Sequence, residues 1–238
     1  MILSSLGAGL YCSAVTPISP KNKIIILLGP PGSGKGTQAV TLAKDLNIPH
    51  ISTGDLFREN IRNKTPLGRE VQANIEAGRL VPDEIVLQML YKRVEKNDCK
   101  SGFLLDGFPR TIAQAETLDN YISGKADLIV INLAVSDEAI TKRAEGRLTC
   151  RACGTVHNKY FSPPKVEDKC DNCGGELYQR ADDALEVVQE RLRVYHAQSE
   201  PLIEFYSRQG MLTTINGEDS RNVVYADLKK VVNDGLDT

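Results

Sequence analysis

The sequence predicts an α/β fold, in which a parallel sheet is covered by helices on both faces. Five short apolar runs alternate with segments of helical periodicity, at residues 24–28, 48–52, 103–105, 128–133 and 211–215. Such alternation is typical of parallel sheets. The first run leads directly into a glycine-rich loop that contains Lys35. Because ligands gather at the carboxyl ends of parallel strands, we expect the polar residues that follow each strand to meet at one edge.

Composition limits the classes of function. The chain has 238 residues, 41% hydrophobic and 25% charged, which suits one domain with its own core and one or two insertions. The formal net charge of -2 gives no overall basic field that would attract nucleic acid or an acidic membrane. No apolar run approaches the roughly 20 residues that span a bilayer. We therefore expect a soluble, cytoplasmic protein with neither a nucleic acid nor a membrane as partner.

Residues 1–22 precede the first predicted strand and are rich in Ser, Gly, Ala and Pro. They resemble a signal peptide only weakly, because no Lys or Arg precedes the modest apolar stretch. We interpret them as a disordered N-terminal tail or the product of a mis-set start codon, with a cleaved targeting segment as the alternative.

The first strand is followed by the loop GPPGSGKGT at residues 29–37, here called the phosphate loop. Such a loop directs backbone N–H groups inward, adds an ammonium and opens into a helix N-terminus, so it is suited to bind a nucleotide's phosphates. Gly36 separates Lys35 from the hydroxyl of Thr37, which departs from the plainest pattern. A Gly/Pro turn that binds nothing is disfavoured by the preceding strand, the lysine and the helical continuation at 38–46.

The second strand ends in the string STGDLFR at residues 52–58. It places the hydroxyl of Thr53 and the guanidinium of Arg58 at the start of a helix. Arg58 is either a surface cation or a bidentate partner for a second phosphate. From residue 53 to residue 81 the chain is helical and charged, without a strand signal, so this segment is interpreted as an insertion.

The third strand is followed by the string DGFPR at residues 106–110. An acid at the end of a strand, beside a phosphate loop, is a candidate acceptor for a magnesium ion held through water. The alternative is that Asp106 caps a turn.

Four of the six cysteines form two CxxC pairs, with sixteen residues between the pairs: Cys150, Cys153, Cys170 and Cys173. This spacing predicts a zinc site made of two thiolate knuckles, and two disulfides are the alternative. Four thiolates fill a tetrahedral shell, so the metal would be structural. Cys12 and Cys99 have no partner at a useful spacing.

Arginines flank the cysteine segment or follow it: Arg143, Arg147, Arg180 and Arg191. Together they suggest a hinged cover that brings positive charge onto polyphosphate. After this segment, Leu185, Val188, Leu192 and Tyr195 form an apolar stripe at helical spacing. We expect this stripe to pack on the sheet and Pro201 to end or bend the helix.

The motifs together resemble the adenylate kinases, of the bacterial long-lid type with a zinc site. The resemblance runs from residue 23 to residue 234 and depends on the strings KGTQ at 35–38, STGD at 52–55, DGFPRT at 106–111 and YQRADD at 178–183. It implies a P-loop NTPase-type parallel sheet with helices on both faces, whose core comprises residues 23–51, 82–145 and 184–238. It also implies a helical nucleoside monophosphate (NMP)-binding insert at 52–81 and a zinc-stapled lid at 146–183.

The resemblance implies an enzyme that reversibly transfers the terminal phosphoryl group of Mg-ATP to AMP, giving two ADP, in adenine nucleotide homeostasis. A monomer is expected. The implied ATP-binding residues are Gly32, Ser33, Gly34, Lys35, Gly36, Thr37, Arg143, Arg147 and Asp219, the last through its backbone. The implied AMP-binding residues are Thr53, Arg58, Arg79, Leu80, Val81, Gly107, Phe108, Pro109, Arg110, Gln114, Arg180 and Arg191. The implied catalytic residues are Lys35, Arg110, Arg147, Arg180 and Arg191, and magnesium would be held through water by Thr37 and Asp106.

Two rival functions remain open from the sequence. A kinase that phosphorylates UMP, CMP or GMP would share most motifs, although Thr53 and Gln114 favour AMP. A zinc ribbon that binds nucleic acid is the other rival, with slight support from Lys159, Lys165 and Lys169. Neighbouring Glu167, Asp168 and Asp171 neutralise that segment, whereas nucleic acid binding requires a basic stripe.

Overall fold

The computed structural model describes residues 22–122 and 126–236, so the expected tail lies outside the described residues except for Asn22. Its main sheet has five parallel strands in the order β2-β3-β1-β4-β8. These strands are β1 (Asn22–Leu28), β2 (His50–Ser52), β3 (Gly102–Asp106), β4 (Ala126–Ala134) and β8 (Leu212–Asn216). All five strands predicted from apolar runs are present, and the predicted fold class is confirmed.

Helices connect the strands and cover both faces of the sheet. They are α1 (Lys35–Leu46), α2 (Thr53–Arg62), α3 (Pro66–Glu76), α4 (Asp83–Val94), α5 (Ile112–Ile122), α6 (Asp137–Glu145), α7 (Leu185–Val194), α8 (Pro201–Arg208) and α9 (Arg221–Leu236). Residues Ile24 and Ile26 of β1 belong to one apolar cluster, and Ile25 and Leu27 belong to another. Successive side chains of a strand point to opposite faces, so a strand covered on both sides must be apolar throughout, as β1 is.

Two segments interrupt the strand–helix alternation. Helices α2 and α3 follow β2 and lie in the predicted insertion. After α6, a small antiparallel sheet of order β6-β5-β7 forms from β5 (Arg147–Cys150), β6 (Val156–Asn158) and β7 (Leu177–Tyr178). Its own apolar cluster consists of Leu148, Cys150, Cys170 and Leu177. Because this core is so small, the segment needs a further source of stability.

The expectation that α7 packs on the sheet is wrong. Val188 and Leu192 pack against Ile140 and Ala144 of α6, and Leu185 is 46% exposed. An apolar stripe identifies a buried face but not its partner, and here the partner is a neighbouring helix. The helix continues through a π-helical turn, Tyr195–Ser199, before α8 begins at Pro201. This agrees with the expected break at that proline.

Among residues 22–122 and 126–236, no helix is both long and apolar enough to cross a lipid bilayer.

Leu104 tests the core of the sheet, because its side chain lies in the middle of β3 and is 0% exposed. Leu104→Ala is expected to lower the free energy of unfolding by about 2–5 kcal/mol, since it removes buried methyl groups and leaves a cavity. Leu185→Ala, at an exposed leucine, serves as the matched control and should change it by less than about 1 kcal/mol. Urea denaturation measures both, and equal effects would contradict this description of the core.

Candidate active site

The phosphate loop joins β1 to α1 and wraps around the ammonium of Lys35. Lys35 Nζ donates hydrogen bonds to the carbonyl oxygens of Gly29 and Pro30, both at 2.7 Å, and to Ser33 Oγ at 3.2 Å. Gly29 has φ +134°, and a Cβ there would lie 2.6 Å from the carbonyl oxygen of Leu133. The tight path of the loop therefore requires glycine at this position.

Lys35 lies in a strongly positive environment. Burial lowers its pKa to about 8, Asp106 opposes the shift, and nearby guanidinium groups add to it. These groups belong to Arg110, Arg191 and Arg147. Residues predicted from three other segments of the sequence therefore lie close enough to Lys35 to influence its charge.

Asp106 emerges at the end of β3, beside the first turn of α1. A Cβ on Gly36 would lie 3.1 Å from Asp106 Oδ2, which gives a steric reason for the glycine between Lys35 and Thr37. His50 Nε2 lies 3.5 Å from the same oxygen. A carboxylate and a hydroxyl are hard oxygen ligands of the type that Mg²⁺ prefers, so Asp106 and Thr37 fit this ion.

Two arginines, one in the lid and one in α7, are held by two adjacent buried acids that the sequence analysis quoted only in a motif. Arg147 pairs with Asp183 through two hydrogen bonds, one of them from Nε to Oδ2 at 2.9 Å. Arg191 donates to Asp182 Oδ2 at 2.9 Å and to its carbonyl oxygen at 3.1 Å. Burial opposes ionisation of Asp182, yet Arg191 and Arg147 hold the pKa of its carboxyl below the ordinary value.

Arg180 and Arg58 lie close enough to each other for the charge of Arg58 to affect Arg180. Arg180 Nε donates to Thr149 Oγ1 at 2.9 Å, and Arg58 pairs with Asp55 at 2.5 Å. Burial lowers the pKa of Arg180, and the positive charge of Arg58 contributes to the same shift. The predicted insertion and the lid thus bring one guanidinium each to a shared location.

The loop after β3 forms a cradle of hydrogen bonds. Thr53 Oγ1 and Arg110 Nε both donate to the carbonyl oxygen of Gly107, each at 2.8 Å. The backbone N–H of Arg110 donates to Gln114 Oε1 at 2.8 Å. Gln114 Nε2 donates to Asp83 Oδ1 at 2.6 Å, a contact that the sequence analysis did not anticipate. Phe108 and Pro109, which complete the loop, are buried.

The connection between α3 and α4 contains Arg79, Leu80 and Val81. The side chain of Val81 is buried in the core, and the exposed Arg79 lies near Glu190 of α7. Leu80 is half-buried.

Arg143 links the phosphate loop to the loop after β8. It donates to the carbonyl oxygen of Ser33 at 3.0 Å and to that of Gly217 at 2.8 Å. Asp219 belongs to the same loop as Gly217, and its side chain accepts a hydrogen bond from Asn216 Nδ2 at 2.9 Å. The planar guanidinium of Arg143 therefore lies beside the phosphate loop, near the backbone around Asp219.

The four lid cysteines converge on one point, with their Sγ atoms all within 4.8 Å of one another. Cys150 and Cys173 are separated by 3.5 Å between sulfurs, and Cys153 and Cys170 by 3.6 Å. A tetrahedral ion with Zn–S bonds of about 2.3 Å requires sulfurs roughly 3.8 Å apart. A disulfide requires about 2.05 Å, so the thiols are free and the cluster fits a metal ion. Cys99 is a separate buried thiol, and Cys12 lies outside the described residues.

The pKa of Lys35 generates a prediction about stability. Its pKa falls from 10.5 to about 8 on folding, so the unfolded chain binds more protons between these values, and the free energy of unfolding rises with pH across that window. The charged side chain thus destabilises the free protein most below pH 8. The melting temperature of Lys35→Met minus that of wild type should be highest below pH 8. It should decline by roughly 10 °C towards pH 10.5, because the fall in the pKa of Lys35 corresponds to about 3.4 kcal/mol and each kcal/mol shifts the melting temperature by ~2–4 °C.

The exposed Lys44 of α1 provides the control for this measurement. Lys44→Met removes an ammonium that solvent already surrounds, so its effect on the melting temperature should be small. Scanning calorimetry of the nucleotide-free protein at several pH values measures both variants. A pH-independent difference for Lys35→Met would show that Lys35 is not buried as an ammonium.

Comparison with known proteins identifies the family. A family model described as adenylate kinase matches residues 27–211. The adenylate kinase of Caldanaerobacter subterraneus subsp. tengcongensis is 49% identical over 210 residues, covering 87% of this chain and 95% of that protein. The adenylate kinase of Caldicellulosiruptor bescii is 52% identical over 197 residues, covering 82% and 92%. The resemblance inferred from the motifs is confirmed, together with the enzyme class of nucleoside monophosphate kinase, and the chain belongs to the adenylate kinase family.

Proposed function

We propose that this site reversibly transfers the terminal phosphoryl group of Mg-ATP to AMP, giving two ADP. One observation supports this most directly: Lys35, Arg110, Arg147 and Arg191 approach one another from four different segments. Lys35 belongs to the phosphate loop, whereas Arg110 belongs to the cradle, where it donates to the same carbonyl oxygen as Thr53. The phosphates of a donor and an acceptor nucleotide, meeting between the two loops, would neutralise these four positive charges.

The proposed roles divide along the same line. ATP would be bound by Gly32, Ser33, Gly34, Lys35, Gly36, Thr37, Arg143, Arg147 and the backbone at Asp219. AMP would be bound by Thr53, Arg58, the backbone of 79–81, residues 107–110, Gln114, Arg180 and Arg191. Lys35, Arg110, Arg147, Arg180 and Arg191 would stabilise the charge of the transferring group.

Phosphoryl transfer requires alignment and charge stabilisation rather than a covalent intermediate. The phosphate of AMP is already an anion, so no strong general base is needed. In the free protein Lys35 binds the carbonyl oxygens of its own loop. These bonds would be exchanged for bonds to the phosphates of ATP, which also favour the charged form of the ammonium.

Water must be kept from the transferring group, because it would otherwise accept the phosphoryl group itself. We propose that residues 52–81 act as an NMP-binding insert and residues 146–183 as a lid over a core of 23–51, 82–145 and 184–238. The pair Arg191–Asp182 connects the end of the lid to a cation of the core, and the pair Arg147–Asp183 joins the two ends of the lid.

Two ions are proposed. Thr37 and Asp106 would hold Mg²⁺ through water, and this ion would supply charge neutralisation for the donor phosphates. Cys150, Cys153, Cys170 and Cys173 would hold Zn²⁺ in a closed shell without a position for substrate, so the zinc would stabilise the lid. We also propose that the protein acts as a monomer in the cytoplasm, where thiols stay reduced.

A coupled assay for ADP formation tests the proposed reaction. With Mg-ATP as donor, kcat/KM should be greater for AMP than for GMP, CMP or UMP. Lys35→Met should lower kcat by more than about a hundredfold, because an ammonium that stabilises the transferring group is lost. The control Lys44→Met should retain the wild-type rate. A different preferred monophosphate, or full activity without Lys35, would contradict the proposal.

The metal is tested separately, through stability. Cys150→Ser should clearly lower the melting temperature, because the lid loses a metal ligand. The loss of initial turnover at low temperature should be the smaller effect, because no catalytic group is removed. Cys99→Ser, at a cysteine outside the cluster, is the control for zinc content and should retain the metal. Unchanged melting combined with abolished turnover would rule out a structural role.

A further inference from the structure

The side-chain amide of Gln114 is held between two groups that can each form only one kind of hydrogen bond. The backbone N–H of Arg110 donates to Oε1 at 2.8 Å, and Asp83 Oδ1 accepts from Nε2 at 2.6 Å. A backbone N–H can only donate, and an ionised carboxylate can only accept. Gln114 is 2% exposed, so water does not compete for these contacts. Its amide therefore has one allowed orientation.

Asp83 is itself fixed. Thr111 Oγ1 donates to Asp83 Oδ2 at 3.0 Å and accepts from the backbone N–H of Gln114 at 3.2 Å. Asp83 is also the first residue of α4, where the helix dipole favours a negative charge. Both carboxylate oxygens are thus engaged, and the side chain cannot turn away from Gln114 without losing two hydrogen bonds.

A fixed amide recognises one purine edge and not the other. Gln114 retains one acceptor position on Oε1 and one hydrogen on Nε2, next to each other. Adenine offers a donor at its 6-amino group beside an acceptor at N1, which complements this pair. Guanine offers an acceptor at O6 beside a donor at N1, which is the reverse. Binding guanine in the same way would require the amide to flip, turning Nε2 towards the Arg110 N–H and Oε1 towards Asp83.

We propose that Asp83 is a positioning residue that sets the preference for adenine over guanine at the acceptor site, by fixing the orientation of the Gln114 amide. This inference rests on the proposed role of Gln114 in binding AMP. Asp83 makes no contact with the nucleotide in this account. It acts through the cost of the flipped amide that guanine requires. In that orientation two buried donors, Gln114 Nε2 and the Arg110 N–H, would face each other, and so would two acceptors, Gln114 Oε1 and the Asp83 carboxylate.

Asp83→Asn tests the inference, because asparagine has the same shape but can offer either a donor or an acceptor to Gln114. The ratio of kcat/KM for AMP to that for GMP should fall by about tenfold or more, mainly through a higher KM for AMP. The KM for ATP should stay unchanged. Both monophosphates are assayed on one preparation, so the ratio does not depend on how much of the variant is folded.

Glu84→Gln is the matched control, since it removes the same charge from the same first turn of α4 at an exposed position. Its AMP-to-GMP ratio should equal that of wild type. If Asp83→Asn also keeps the wild-type ratio, the inference is overturned. Gln114→Ala tests the acceptor site itself, separately from the positioning role of Asp83. A KM for AMP raised about tenfold supports the acceptor site, whereas an unchanged KM would overturn that site and this inference with it.

Discussion

The site depends on one electrostatic constraint: several cations are brought together in a small volume of a protein whose formal net charge is -2. The unfavourable energy of holding these charges together is clearest at Lys35, where burial and neighbouring arginines lower the pKa to about 8. Asp182 and Asp183 offset part of the repulsion and hold two arginines in place. The remaining positive charge is suited to phosphate groups, so binding of nucleotides and relief of repulsion are the same event.

The fold makes this concentration of charge possible. Parallel strands bring their carboxyl ends to one edge, so the phosphate loop after β1 and the DGFPR loop after β3 become neighbours. Arg191 comes from a helix that packs on α6 and approaches the same edge from outside the sheet. Arg147 and Arg180 belong to the lid, which has a small apolar core and contains the four-cysteine cluster that fits a metal ion.

Much of this could be predicted from the sequence, because strands, glycine-rich loops and CxxC pairs are local patterns. The partner of α7 could not, since a stripe such as Val188 and Leu192 does not specify which surface covers it. Asp83 was also missed. An acid at a helix start has an ordinary explanation in the helix dipole, and its contact with Gln114 spans thirty-one positions of sequence. Only the folded chain brings these two groups together.

The most direct test of the central claim is a crystal structure of the protein bound to a single ligand in which two adenosines are joined by a chain of phosphates. We expect one molecule to occupy both nucleotide sites, with the Lys35 ammonium moved from the Gly29 and Pro30 carbonyl oxygens onto a phosphate. The lid arginines should contact the same phosphate chain. A single bound adenosine, with Lys35 still on its own loop, would contradict the account.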